Sequence, residues 1–231
     1  MSVNEVMLVS NGTLLNEKMI SRLESIQPQK IQISIDGDRK NHDQFRSFKT
    51  GSGSYDQIFE NLQAFSQIFS SISLRANVTP DNVTTLNHLI EDLSKNILMS
   101  QEQFSLMFCP IESIPSFSLE RKTWSSFLDG MTEAIKYAVE SGFKVVPQSH
   151  INGCSTCANP ESSDGLVITT NGLLYSCWDS AGQTNMEIGR LSEGYDKELV
   201  QKNWVSCGYN GDLSLTQRQE LLRANLIGIF S

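Results

Sequence analysis

Short apolar runs alternate with segments of helical period along most of this 231-residue chain. In the helical segments apolar residues recur every three or four positions, as they do at Tyr55, Ile58 and Leu62. Ser54 and Gln57 have the spacing of a capping box and predict the start of that helix. The alternation is typical of βα units and predicts an α/β fold around a mainly parallel sheet. The predicted strands cover residues 6–9, 31–35, 72–78, 104–109 and 143–146, and the other predicted helices cover residues 16–26, 82–96 and 123–141.

Polar or flexible residues follow the predicted strands. In parallel α/β folds the loops at the carboxyl ends of the strands build the active site, so we expect these ends to share one mouth. They are Ser10-Asn11-Gly12, Asp36-Gly37, Thr79-Pro80-Asp81 and Pro110-Ile111-Glu112.

Composition and charge exclude several classes of function. The charged fraction of 19% and the hydrophobic fraction of 39% are those of an ordinary globular protein, and no apolar run is long enough to span a bilayer. A net charge of −8 argues against nucleic-acid binding, which needs clustered lysine and arginine. We therefore expect a cytoplasmic protein with a small molecule or a peptide as its partner.

Three of the five cysteines cluster around a predicted hairpin. The Asn171-Gly172 pair is a strong signal for a two-residue type I′ turn, which places Thr170 opposite Leu173 and Leu166 opposite Cys177. That pairing would return Cys177 toward the segment that carries the two other cysteines, Cys154 and Cys157.

The cysteine cluster indicates thiolate ligation. Cys154, Cys157 and Cys177 lie near polar loop residues, whereas Cys109 lies in an apolar run and reads as a core residue. A disulfide is disfavoured because the N-terminal residues of this sequence do not resemble a secretory signal. The spacing favours an iron-sulfur cluster over zinc, and either metal over a structural role of the thiols.

A change of character near residues 147–153 predicts two domains. Residues 1–147 hold the predicted βα units, and residues 148–231 hold the cysteine hairpin, an irregular stretch and a helix-like tail.

The order of several motifs resembles the radical S-adenosylmethionine (SAM) enzymes that carry a C-terminal SPASM domain, which include anaerobic sulfatase-maturing and peptide-modifying enzymes. Cys157, fourteen residues, Gly172, four residues and Cys177 match the family pattern C-x9-15-G-x4-C. The other matching stretches are Ser10-Asn11-Gly12-Thr13-Leu14-Leu15, Ile33-Ser34-Ile35-Asp36-Gly37 with His42-Asp43 and Phe45-Arg46, and Leu74-Arg75-Ala76-Asn77-Val78-Thr79.

The resemblance implies a partial (β/α) barrel of the radical SAM type that lacks its first two strand-helix units, followed by a small SPASM-like module. It implies 5′-deoxyadenosyl-radical chemistry on a peptide or protein side chain, with SAM and a 4Fe-4S cluster as cofactors. By position, Ser34 would contact SAM, Arg46 would pair with its carboxylate, and Asn77 would line the same pocket. The ligands offered to one auxiliary cluster would be Cys154, Cys157, Cys177 and Cys207.

Two family motifs are absent from the sequence. It contains neither the C-x3-C-x2-C motif that holds the radical-generating cluster nor the Gly-Gly-Glu-Pro type of motif that contacts the SAM amine. The resemblance therefore implies that this chain does not generate the radical alone and binds SAM only when the missing barrel portion is supplied, as a separate chain could do. The alternatives are a non-catalytic remnant, an accessory module that binds a peptide or a metal, and a zinc-stabilised binding protein.

Overall fold

The computed structural model describes residues 5–66, 71–96, 104–111, 121–146, 166–178 and 180–204, with the backbone alone at 65–66 and 121–125. The described residues up to 146 belong to one compact unit, and those from 166 to 204 belong to a second.

The first unit is built on a parallel sheet whose five described strands lie in chain order. The strands are β1 (Met7–Ser10), β2 (Lys30–Ser34), β3 (Ile72–Val78), β4 (Phe104–Pro110) and β5 (Lys144–Val145). The helices are α1 (Glu17–Ile26), α2 (Arg39–Phe45), α3 (Tyr55–Ser66), α4 (Leu86–Asn96) and α5 (Arg121–Glu140), and a 3-10 turn (Val83–Thr85) precedes α4. These elements confirm the predicted α/β class and parallel sheet; the incomplete barrel stays a prediction.

The two faces of this sheet differ in chemistry. Because side chains alternate along a strand, one face carries the apolar core residues of β2, β3 and β4, which pack against apolar side chains of the helices. None of the residues on the opposite face belongs to that core. We call this opposite face the polar face, and on the central strands it carries Gln32, Ser34, Ser73, Arg75, Asn77, Ser105, Met107 and Cys109.

Helix starts show why the predicted elements form, and where one prediction fails. Asn16 caps α1 by accepting a hydrogen bond from the Met19 amide, 3.1 Å away. The predicted capping box of Ser54 and Gln57 is wrong, because Asp43 Oδ1 accepts from the amides of Ser54 (2.8 Å) and Tyr55 (2.9 Å) at the start of α3. Helix α2, which sequence patterning did not predict, supplies Asp43 for this cap.

The second unit contains a four-stranded antiparallel sheet and a short helix. Its strands are β6 (Val167–Ile168), β7 (Leu173–Tyr175), β8 (Gly189–Arg190) and β9 (Gly194–Tyr195), and its helix is α6 (Lys197–Asn203).

The hairpin that joins β6 and β7 is present, but its predicted register is wrong by one residue. Ile168 pairs with Leu174, and the Thr169 amide donates to the Leu173 carbonyl at 3.0 Å, so three residues form the loop. Gly172 has a positive φ of 78°, whereas Asn171 is not among the described residues with positive φ. The turn is therefore not the expected type I′ turn.

Within the ranges that the structure describes, no helix combines the length and the apolar character that crossing a membrane requires.

Candidate cofactor-binding site

Asp36, just after β2, connects two of the residues predicted to bind SAM. Its Oδ2 accepts a hydrogen bond from Arg46 Nε at 2.5 Å, and its Oδ1 accepts one from the Asn77 amide at 2.8 Å. The carboxylate is almost fully buried, and a buried carboxylate is stable when it is paired and hydrogen-bonded in this way. Asp36 therefore fixes Arg46 beside the carboxyl end of β3.

His42 holds the loop between α2 and α3 from the inside. The His42 side chain is fully buried, and its Nδ1 accepts a hydrogen bond from the Asp36 amide at 3.1 Å. Its Nε2 lies 3.0 Å from Ser54 Oγ, and that hydroxyl donates to the Arg46 carbonyl at 2.5 Å. Because Nδ1 and the Ser54 lone pair are both acceptors, this arrangement requires a neutral ring with its proton on Nε2.

Electrostatics favour the same neutral state of His42. Burial lowers the pKa of His42 below its ordinary value, and the Arg46 charge acts in the same direction against the raising effects of Asp36 and Asp43. The imidazole thus serves as a fixed hydrogen-bonding link.

Arg46 retains unused hydrogen-bonding capacity. Only its Nε is engaged among the described residues, which leaves Nη1 and Nη2 available, and its side chain is 30% exposed. Two parallel N–H groups are the donors that a carboxylate accepts in a bidentate pair. This geometry fits the carboxylate of an amino-acid-like ligand such as SAM.

Asn77 and Ser34 lie on the polar face next to this pair. Asn77 Oδ1 accepts from Arg75 Nε at 3.2 Å, and Ser34 lies opposite Arg75 in the register of β2 and β3. The structure thus brings Arg46 and Asn77 together through Asp36. Ser34 lies on the polar face of the neighbouring strand β2.

Sequence reasoning gave no role of their own to two residues that position this site. Asp36 was expected at the mouth of the strands and within a family motif, and Asn82 at the start of a helix, but neither was predicted to hold a site residue in place. The Asn82 side chain donates to the Asn77 carbonyl at 2.9 Å and accepts from the Thr79 amide at 2.8 Å, which fixes the end of β3. The sequence feature that points to the role of Asp36 is its position at a strand end, directly before Gly37. Gly37 has a φ of 86°.

The predicted metal ligands are mostly outside the described residues. Cys154, Cys157 and Cys207 lie there, whereas Cys177 is half-buried in the second unit as a free thiol. Cys109 is buried on β4, which agrees with its interpretation as a core residue, although it lies on the polar face outside the main apolar cluster; burial raises its pKa. Across the described ranges no group of three histidine, cysteine or acidic residues could hold a metal ion.

Comparison with known proteins shows which proteins this chain resembles. No family model matches the chain. A cysteine-type anaerobic sulfatase-maturating enzyme from Clostridium novyi (strain NT) is 26% identical over 232 residues, covering 88% of this chain and 58% of that enzyme. The chain is homologous to an anaerobic sulfatase-maturating enzyme. It therefore spans somewhat more than half the length of this curated relative.

Solved structures of radical SAM peptide-modifying enzymes share the fold. Native anSMEcpe with bound AdoMet, which is SAM, matches with a TM-score of 0.61 and 18% identity over 85% of this chain and 57% of that one. Native anSMEcpe with AdoMet and the Cp18Cys peptide matches with a TM-score of 0.60 and 18% identity over 89% and 58% of the two chains. Streptococcus suis SuiB bound to S-adenosylmethionine has a TM-score of 0.51 and 12% identity over 85% and 49%.

The resemblance read from the sequence motifs is thereby confirmed. Neither the structure nor the comparisons support the expectation that a separate chain supplies further strands.

Proposed function

We propose that this chain carries part of the SAM-binding and peptide-binding region of a radical SAM peptide-modifying protein. The homology to a sulfatase-maturating enzyme and the shared fold support this proposal. Peptide binding is supported by anSMEcpe, whose solved structures include complexes with peptides.

The observation that carries the SAM part is the state of Arg46. Its guanidinium is held through Nε by Asp36, and its two terminal nitrogens make no hydrogen bond to a described residue. Holding the side chain in advance reduces the entropy that binding would otherwise cost. Arg46 would bind the SAM carboxylate, while Ser34 and Asn77 would contact the rest of the ligand.

When bound beside a reduced 4Fe-4S cluster, SAM supplies a 5′-deoxyadenosyl radical that abstracts hydrogen. The residues of this chain bind and orient the ligand: Arg46 neutralises its carboxylate, and Asp36 and His42 keep Arg46 in place. We do not propose that this chain catalyses the reaction alone.

The second unit supports a further part of the proposal. Residues 148–231 would form a SPASM-like module in which Cys154, Cys157, Cys177 and Cys207 bind an auxiliary 4Fe-4S cluster, and residues 1–147 would form the partial barrel. The cytoplasmic location expected from the sequence remains a prediction.

A SAM titration by isothermal calorimetry under anaerobic conditions tests the SAM site. The resemblance implied SAM binding only with the missing barrel portion, but Arg46 is already held in place by Asp36, so we expect the wild-type chain to bind SAM by itself. Arg46→Gln should bind SAM about 10- to 100-fold more weakly, because a charge-assisted pair contributes about 1.5–3 kcal/mol. Arg22→Gln, which changes an exposed arginine on α1, is the matched control and should leave the affinity unchanged. Absence of binding by the wild-type chain, or equal binding by Arg46→Gln, would contradict the proposal.

Anaerobic reconstitution followed by iron, sulfide and zinc analysis tests the cluster. Cys177→Ala should lose iron and sulfide, whereas Cys109→Ala should keep both, because its buried thiol lies on β4. Stoichiometric zinc would replace the proposal with the zinc-stabilised alternative, and iron retention in Cys177→Ala would remove Cys177 from the ligand set.

A second candidate function is an accessory module that binds a peptide or a metal without radical chemistry. The absence of a C-x3-C-x2-C motif from the sequence favours it. Reductive cleavage of SAM by the reconstituted chain alone would rule this candidate out.

A further inference from the structure

Arg75 lies at the middle of the polar face. In the register of the parallel sheet it has Ser34 opposite on β2 and Met107 opposite on β4. Its Nε donates to Asn77 Oδ1 at 3.2 Å, and among the described residues it forms no ion pair. A half-buried guanidinium without a carboxylate partner is unusual, because its charge has lost part of its hydration without compensation.

Gln32 provides a second, independent observation at the same place. It lies on the polar face of β2, opposite Ser73 and therefore diagonal to Arg75. The residue is only 6% exposed, yet its side-chain amide makes no hydrogen bond to any described residue. Among the described residues the only fully buried polar side-chain atom without a hydrogen-bond partner is Asn87 Oδ1, so the unpaired Gln32 amide keeps contact with solvent and is open to a ligand.

The charge of the polar face indicates the chemical class of its ligand. Its charged residues on the described strands are Arg75, Lys144 and Lys30, of which Lys30 forms an ion pair with Glu5 at 2.9 Å, although the whole chain has a net charge of −8. Asp36 follows β2, and its carboxylate is already bound by Arg46 and the Asn77 amide. Arg75 thus remains an uncompensated cation in a strongly acidic protein.

The surroundings of Cys109 agree with this placement of Arg75. Burial and the Asp36 charge raise the pKa of the Cys109 thiol, whereas the positive charge of Arg75 lowers it, which agrees with the position of Arg75 beside β4, opposite Met107.

We propose that Gln32 and Arg75 form a binding site for a carboxylate of the peptide substrate. Arg75 would donate charge-assisted hydrogen bonds, and the Gln32 amide would complete the set. The assignment of the carboxylate to a peptide rests on the proposed function. Asn77 and Asp36 link Arg75 to Arg46, and we assign one ligand carboxylate to each arginine.

Nuclear magnetic resonance on the full chain tests the site with two small probes. N-acetyl-L-glutamate N-methylamide carries the carboxylate, and N-acetyl-L-glutamine N-methylamide is its uncharged isostere. Saturable shifts of the Arg75 Nε–H and Gln32 amide resonances are expected with the glutamate probe alone. Equal shifts with both probes, or no shift with either, would overturn the proposal without reference to any variant.

Two variants, titrated with the same glutamate probe, test the role of Arg75. Arg75→Gln should weaken binding of the glutamate probe at least ten-fold, and the control Arg22→Gln should leave it unchanged. Undiminished binding by a folded Arg75→Gln would overturn the proposal.

A SAM titration of the same sample separates this inference from the proposed function. SAM should bind through Arg46, so Arg46→Gln should weaken SAM binding and leave the affinity for the glutamate probe unchanged. If SAM binds and Arg75 takes its carboxylate, the peptide-carboxylate site is wrong. If SAM does not bind while the glutamate probe still does, the proposed function fails and the carboxylate site stands.

Discussion

At the scale of single residues, His42 and Asp36 explain how a loop arginine is fixed beside a strand end. His42 directly precedes Asp43 and lies four residues before Arg46 in the chain, yet its Nδ1 reaches back to the Asp36 amide and its Nε2 reaches forward to Ser54. The motif resemblance identified Arg46 and Asn77 as site residues. It did not identify Asp36 as their link, because that contact depends on how the loop folds back onto β3.

The neutral state of His42 predicts a pH dependence of stability. Its folded-state pKa lies below the ordinary value of 6.5, so below that pH the unfolded chain takes up a proton that the folded chain does not. The free energy of unfolding should be flat with respect to this group above pH 6.5 and should fall by up to about 1.4 kcal/mol per pH unit below it, until the folded-state pKa is reached.

Urea unfolding between pH 7.5 and 5, compared with His42→Gln, isolates this contribution. The variant should be less stable at pH 7.5 by about 1–3 kcal/mol and should lack this part of the slope. His88→Gln, which changes an exposed histidine, should keep it. Identical pH profiles for wild type and His42→Gln would contradict the assignment.

Gly53 shows a steric requirement at the start of α3. A Cβ at this position would overlap the Asp43 carboxylate, which caps the helix through the Ser54 and Tyr55 amides. Gly53→Ala should therefore lower the free energy of unfolding by about 1–3 kcal/mol.

Gly51→Ala is the matched control for Gly53. Gly51 has a φ of 87° and open space around its Cβ position, so its substitution should cost only the conformational strain of about 1 kcal/mol. The urea midpoints of the two variants measure both losses of stability. If Gly53→Ala loses no more stability than Gly51→Ala, the overlap with Asp43 is relieved in the variant.

At the scale of elements, patterning predicted the strands and long helices of the first unit within a few residues. Strand β3 was predicted at its observed bounds, because apolar and polar residues alternate along it and only one face is buried. Helix α2 was missed, because residues 39–45 carry no apolar stripe, and its start depends on Asp38 accepting from the Asn41 amide at 3.0 Å.

The hairpin register was the clearest error at this scale. The Asn-Gly pair fits a two-residue turn, but the same pair also fits a three-residue loop in which only the glycine needs a positive φ. The Thr169 hydroxyl donates to the Leu173 carbonyl at 3.1 Å and supports the longer loop. Sequence alone does not distinguish the two.

The loop geometry predicts unequal effects of two substitutions. Gly172→Ala should strain a left-handed position and cost about 1–2 kcal/mol, whereas Asn171→Ala should cost less than about 1 kcal/mol through one exposed hydrogen bond. Hydrogen exchange of the Thr169 amide measures both effects locally. Comparable loss of protection in the two variants would instead indicate the two-residue turn.

At the scale of the whole molecule, the described residues establish the fold and its similarity to known proteins. They do not establish the proposed metal centre. Order of motifs along the chain predicted the relationship to radical SAM enzymes, which homology then confirmed. Three of the four proposed cluster ligands lie outside the described residues, so their ligation rests on sequence spacing alone.

The central claim is that Arg46, fixed by Asp36, receives the carboxylate of SAM. An anaerobic crystal structure of the full chain with SAM tests it most directly. The account predicts the SAM carboxylate within hydrogen-bonding distance of Arg46 Nη1 and Nη2, with Arg46 Nε still bonded to Asp36 and with Ser34 and Asn77 beside the ligand. SAM bound away from Arg46, or an Arg46 that leaves Asp36 without touching the ligand, would contradict it.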